Sequence, residues 1–174
     1  MPRKEIAEGE LLYHAVHGLC RLDRKIQQSE AGKKVLCYAV VPKKSNKMKI
    51  RFVIQAQEMQ SSGFHSLVTL AEANRIMDYL KAGDTTASFA NQNETWSLAQ
   101  TVLSVSRDKP EPKDAKDQRK RAMLARSVKG LLGELAAVFN ISIQEAAERM
   151  QKSLGRASKI NPMVITAMTH AVED

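Results

Sequence analysis

The sequence predicts an α+β protein: a small antiparallel β barrel or strongly bent sheet, followed by a compact all-helical domain of about five helices. Two observations carry this. Up to about residue 55 the apolar residues alternate with a period of two and are interrupted by short turns, whereas beyond about Ser66 they recur every three to four residues. At 174 residues, with 43% hydrophobic and 26% charged side chains, the chain can bury a core and fits one ordinary domain or two small ones. The change of period places the boundary between residues 1–65 and residues 66–174.

Leu11, Tyr13 and Ala15 would share one face of a first strand ending at His17-Gly18. A second strand runs from Leu19 to about Gln27, and Ser29-Glu30-Ala31-Gly32 supplies a turn in which Gly can take positive φ. A third runs from Lys34 to Val41 and is closed by Pro42. After a basic turn, Lys43 to Lys47, the set Met48, Ile50, Phe52 and Ile54 alternates with Lys49 and Arg51 as in a strand with one wet face. Strands this short and this close in sequence most simply curl into a barrel or bent sheet.

The first helix is announced by the capping box Thr69-Leu70-Ala71-Glu72, by Leu70, Ala73, Met77 and Leu80 at helical spacing, and by Gly83 as the stop. Residues 84–94 are polar and turn-prone. A second helix, from about Thr95 to Ser106, sets Trp96, Ala99 and Leu103 beside Leu98, Val102 and Val105, and Pro110 and Pro112 forbid its extension. The longest helix is expected from about Asp114 to Phe139, with Leu124, Val128, Leu131, Leu132, Leu135 and Val138 as its apolar stripe. Ser142 and Glu145 form a second capping box for a helix ending at Gly155, and Asn161-Pro162 opens a last helix reaching about Val172.

Charge is the first pointer to function. The net charge of +8 is local: residues 43–51 carry +5, residues 109–129 carry +5, and the remainder sums to −2. Such concentration suits a surface that meets phosphates or an acidic protein. Cations crowding the first half of the longest helix oppose its dipole, which suggests a use other than stability.

Chemistry is poorly represented. The eight glycines are scattered and none precedes a Lys-Ser or Lys-Thr pair, which disfavours nucleotide hydrolysis. His14, His17 and Cys20 lie three apart. On a strand such positions face opposite sides and a fourth ligand is missing, so no metal site is assigned. Cys20 with His17 lacks an orienting carboxylate and an oxyanion-forming turn, and a half-buried thiol is the simpler reading. No catalytic residue and no cofactor are assigned. Two cysteines, no apolar run of membrane-spanning length and no secretory leader point to the cytosol. Trp96 packs in the core or is presented beside the positive surface as an apolar wedge for a minor groove.

The pattern Gly9-Glu10, two apolar residues, then His17-Gly18, followed by an apolar strand, a Gly-containing turn and two more strands, resembles the RNA-polymerase-interacting domain of the CarD family, shared with transcription-repair coupling factor. Residues 119–137 (RKRAMLARSVKGLLGELAA) are similar to the basic helix of that family, through Met-Leu-Ala-Arg and Gly-Glu-Leu-Ala. The resemblance spans residues 8 to about 150. It implies a Tudor-like, SH3-like first domain that docks on the RNA polymerase β subunit, with Arg24 or Lys25 and Arg51 facing its acidic side chains. It implies a helical domain that meets the backbone and minor groove of promoter DNA through Trp96, Arg119, Lys120, Arg121, Arg126 and Lys129, stabilising the melted promoter without reading its sequence. A cytoplasmic, nucleoid-associated transcription regulator follows. An RNA-binding, ribosome-associated module is the alternative, since small bent sheets and basic helices serve there as well.

Overall fold

The computed structural model describes residues 5–44, 49–86, 93–113 and 116–174. The expected position of Met48, the turn beyond Lys44, most of the loop 84–94 and a helix start at Asp114 lie outside the described residues. The chain divides into two compact units, Met1–Leu67 and Val68–Asp174, within two residues of the boundary the periodicity predicts.

The first unit is an antiparallel sheet of five strands, β1 (Leu11–His14), β2 (Gly18–Glu30), β3 (Lys33–Pro42), β4 (Phe52–Gln55) and β5 (His65–Ser66), in the order β4-β3-β2-β1-β5. No ladder joins β4 to β5 among the described residues, so the sheet is open rather than a closed barrel. Side chains span the gap instead: the Phe52 ring lies 5.5 Å from that of Phe64, which precedes β5. Leu12, Cys20, Leu22, Tyr38 and Val40 fill the concave side with Met59 and Phe64. Two details correct the sequence reading. β1 buries both faces, Leu12 in this core and Tyr13 on the other side, where it meets His65 edge-on at 6.1 Å. The β2–β3 turn tightens to Ala31-Gly32, both at positive φ (48° and 76°), which matches the twist of a two-residue hairpin and lets both strands run further.

The second unit contains five helices among the described residues: α1 (Leu70–Ala82), α2 (Glu94–Arg107), α3 (Gln118–Phe139), α4 (Ile143–Leu154) and α5 (Pro162–Glu173). Both capping boxes form, and Asn93, Asp117 and Asn161 cap α2, α3 and α5 through side-chain oxygens. α3 starts a turn later than expected because Asp117 accepts the Lys120 amide and fixes the N-cap there. Leu70, expected on the buried stripe, is exposed. It occupies the first helical position, while Val68 and Ala73, flanking the cap, enter the core together in the manner of a hydrophobic staple. No helix among the described residues is long and apolar enough to cross a membrane.

The core of this unit encloses one acidic side chain. Glu134 is fully buried on α3, and its two carboxyl oxygens accept from the Val68 amide (3.1 Å) and the Thr95 hydroxyl (2.8 Å). It therefore ties the chain entering α1 and the first turn of α2 to the C-terminal half of α3. Glu134→Ala should cost about 3 kcal/mol or more in denaturant unfolding, since two buried donors lose their partner. Glu134→Gln, which can accept from Val68 and donate to the Thr95 oxygen, should cost about 1 kcal/mol.

Candidate binding surfaces

In the first unit the sequence places Arg21, Asp23 and Arg24 on β2 and Arg51 just ahead of β4. Side chains on a regular strand alternate, so Arg21 and Asp23 would face one way and Arg24 the other. The β2–β3 register slips between Leu22 and Arg24, making Asp23 the extra residue of a bulge. Leu22 stays in the core while Arg24 turns to the convex side. Three guanidinium groups then converge on one carboxylate: Asp23 is 3.8 Å from Arg21, 3.4 Å from Arg24 and 3.5 Å from Arg51. The arginine side chains remain 50%, 57% and 44% exposed. These long, wet contacts contribute little stability, so the patch keeps an excess charge of two and most of its donors for a partner.

Arg24 and Arg51 are thus brought together, and Lys25 is not. Lys25 pairs in register with Tyr38, which faces the core, and its ammonium reaches Glu5 at 3.3 Å. The bulge that turns Arg24 outward sends the next residue to the opposite side. Arg21 was missed by sequence reasoning. Its signal, the Arg-x-Asp-Arg run, carries no meaning until the bulge is known.

In the second unit the cations of α3 divide into four sets. Arg119 and Arg126 are exposed, two turns apart on one side of the helix, and have no ion pair among the described residues. Lys129 makes an exposed ion pair with Asp174 at 3.0 Å, and that hydrogen bond, with the ammonium charge, holds the Asp174 carboxyl below its usual range. Arg121 lies on another side of α3, where it joins Pro162, Met163 and His170 of α5 in lining a groove of about 410 Å³. Lys120 is only half-exposed, and its amide serves the Asp117 cap.

Trp96 is corrected by its burial. Only 4% of it is exposed, its ring meets Tyr79 edge-on at 5.7 Å, and the Arg75 guanidinium stands 5.8 Å from the ring centre. The Asn93 cap fixes α2 so that Trp96, Ala99 and Leu103 all point into the core. A wedge role would require unpacking this ring.

His14, His17 and Cys20 also differ from expectation. His14 ends β1 and His17 precedes β2, so both lie at the turn, and their rings meet at 4.5 Å, tilted by 32°, instead of facing apart. Cys20 is buried, its thiol points to the Gly18 carbonyl at 3.6 Å, and burial pushes its pKa to about 11, which removes the thiolate a nucleophile needs at neutral pH. No cluster of three or more His, Cys, Asp or Glu able to hold a metal ion occurs among the described residues.

No known family model matches this chain, and no curated protein matches it. As a core residue, Trp96 should be costly to truncate: Trp96→Ala is expected to lose about 3–5 kcal/mol of stability in equilibrium unfolding, with Trp96→Phe substantially milder.

Proposed function

We propose that this chain is a non-enzymatic transcription regulator whose Tudor-like sheet unit docks on an acidic surface of the RNA polymerase β subunit and whose helical unit holds promoter DNA by its backbone. The single observation that supports it best is the presence of exposed guanidinium groups on each unit: Arg21, Arg24 and Arg51 around Asp23 on one, Arg119 and Arg126 on α3 of the other. Guanidinium groups pair in two-pronged fashion with carboxylates and phosphates alike. The first cluster already turns toward a carboxylate and suits an acidic protein. The second lines one side of a long helix and suits a chain of phosphates.

In this reading the DNA contact is made without base readout, because the α3 cations are placed for phosphates and the tryptophan that could have wedged a base step belongs to the core. Stabilisation of the melted promoter then comes from holding the strands where the polymerase presents them, and the protein belongs with the nucleoid in the cytoplasm. Structured RNA is the second reading, favoured by the burial of Trp96, since double-stranded RNA is held largely through shape and phosphates.

Replacing Arg24 and Arg51 together by Glu should weaken retention on purified polymerase core by at least about tenfold, the equivalent of one lost charged hydrogen bond. Undiminished retention would remove the docking assignment. Arg119→Ala and Arg126→Ala should each flatten the salt dependence of DNA binding by about 0.9 log units per log unit of salt. Stronger binding to structured RNA than to forked duplex DNA would transfer the function to the second reading.

A further inference from the structure

His14 does something unusual for a histidine at the end of a strand. Its Nδ1 accepts from two main-chain amides, Val16 (3.0 Å) and His17 (3.2 Å), while Nε2 lies 3.2 Å from the Ser62 carbonyl. A carbonyl oxygen only accepts, so Nε2 carries the hydrogen, and Nδ1, facing two donors, must keep its lone pair. The contacts therefore define one tautomer and one charge state: neutral, with the proton on Nε2. The geometry is that of an Asx turn, with an imidazole nitrogen where an asparagine oxygen usually sits.

The surroundings are shaped to this ring. A Cβ at Gly63, which has φ of 84°, would lie 2.8 Å from His14 Nε2. The ring packs on Phe64 at 4.7 Å and on His17 at 4.5 Å, and His17 in turn packs on Phe52 of β4 at 4.4 Å. The turn that His14 holds is thus linked through tilted ring contacts to the strand that Arg51 precedes.

We propose that His14 is a proton-sensitive latch, whose neutral ring holds the β1–β2 turn closed and whose protonation releases it. A proton added at Nδ1 replaces the acceptor by a donor pointing at two N–H groups, so both turn contacts are lost while the bond to Ser62 survives. Among the described residues His17 is the neighbouring imidazole, its ring 4.5 Å away. Residues 59–64, on the Ser62 side, contain no ionisable side chain. From β2 comes the Cys20 thiol, which burial keeps protonated with a pKa of about 11. On β4 the facing group is Phe52, with Arg51 turned to Asp23 at 3.5 Å, and on β5 His65 meets Tyr13.

The sign follows from linkage. The folded turn disfavours the protonated ring, whereas an unfolded histidine takes up its proton near ~6.5, so the unfolded chain binds more protons below that value and stability is lost as pH falls. The test combines long-range ¹H–¹⁵N spectra of the histidine rings at neutral pH with amide exchange protection measured from about pH 8 to about pH 5, across the ordinary imidazole range. The spectra should show His14 with hydrogen on Nε2 alone, and hydrogen on Nδ1 overturns the latch whatever the variants do. Protection at Val16 and His17 should fall by up to about tenfold per pH unit in the wild type. His14→Asn, whose oxygen accepts the same two amides but gains no proton, should remove that fall, while His17→Phe should retain it. Persistence of the wild-type acid loss in His14→Asn, or its disappearance in His17→Phe, would assign the effect elsewhere. None of these measurements involves polymerase or DNA, so they succeed or fail independently of the binding function.

Discussion

The helical unit depends on a carboxyl group placed where carboxyl groups rarely go. Glu134 is enclosed by Leu131, Leu132 and Leu135 along α3, and it is tolerable there because both of its oxygens are engaged by donors that are themselves buried. The arrangement does more than satisfy a polar atom. Interdigitated side chains already resist a slide of one helix along another, and the two hydrogen bonds to Val68 and Thr95 add fixed distances and angles to that resistance. With α1 and α2 registered against the C-terminal half of α3, Tyr79 and Trp96 meet in the core and the cations of the first half of α3 stay outside it. The exposure of Arg119 and Arg126 is in that sense a consequence of a residue two or more turns further along.

In the sheet unit the corresponding constraint is the bulge at Asp23. A strand offers its side chains alternately to two faces, so a concave side packed with Leu22, Tyr38 and Val40 leaves the convex side only every second residue. One inserted residue breaks that limit and sets Arg24 beside Asp23, with Arg21 and Arg51 in reach. The same insertion decides that of two adjacent basic residues Arg24 faces the convex side and Lys25 the other. Neighbours along the chain become members of different surfaces, and residues 27 or more apart become members of one.

These features explain what could be read without coordinates. The two-unit division was legible because the hydrophobic period itself changes near Ser66, and the capping boxes at Thr69 and Ser142 mark helix starts by a local hydrogen-bond exchange that needs no tertiary context. The α2 stripe, Trp96 to Val105, was legible for the same reason, although its amphipathicity could not say whether the indole faced inward. What stayed hidden depends on contacts distant in sequence. β5 has two residues, too few for any period, and exists only because β1 is there to pair with it. The His14–His17 ring contact was misjudged because a turn was treated as a strand, and the Arg21 contribution because a bulge leaves no pattern in composition. The pairing of Lys129 with Asp174, 45 residues away, left no local signal either.

The proposed mode of action places a specific demand on these surfaces. A protein can favour a melted promoter only by the difference between its affinities for the melted and the closed form, however tightly it binds either. Phosphate contacts from Arg119 and Arg126 are almost the same for any duplex, so taken alone they supply affinity with little discrimination. The difference must come from where the contacts are made. If the arginines of the sheet unit secure the protein to the polymerase, the α3 cations act at an effective concentration set by the connection between units, and they act on the DNA the enzyme holds there. Discrimination then resides in geometry supplied by the partner. On this argument the weakness of the Asp23 contacts is an advantage: arginines held tightly by their own carboxylate would have to be released before docking, whereas these are gathered but not spent.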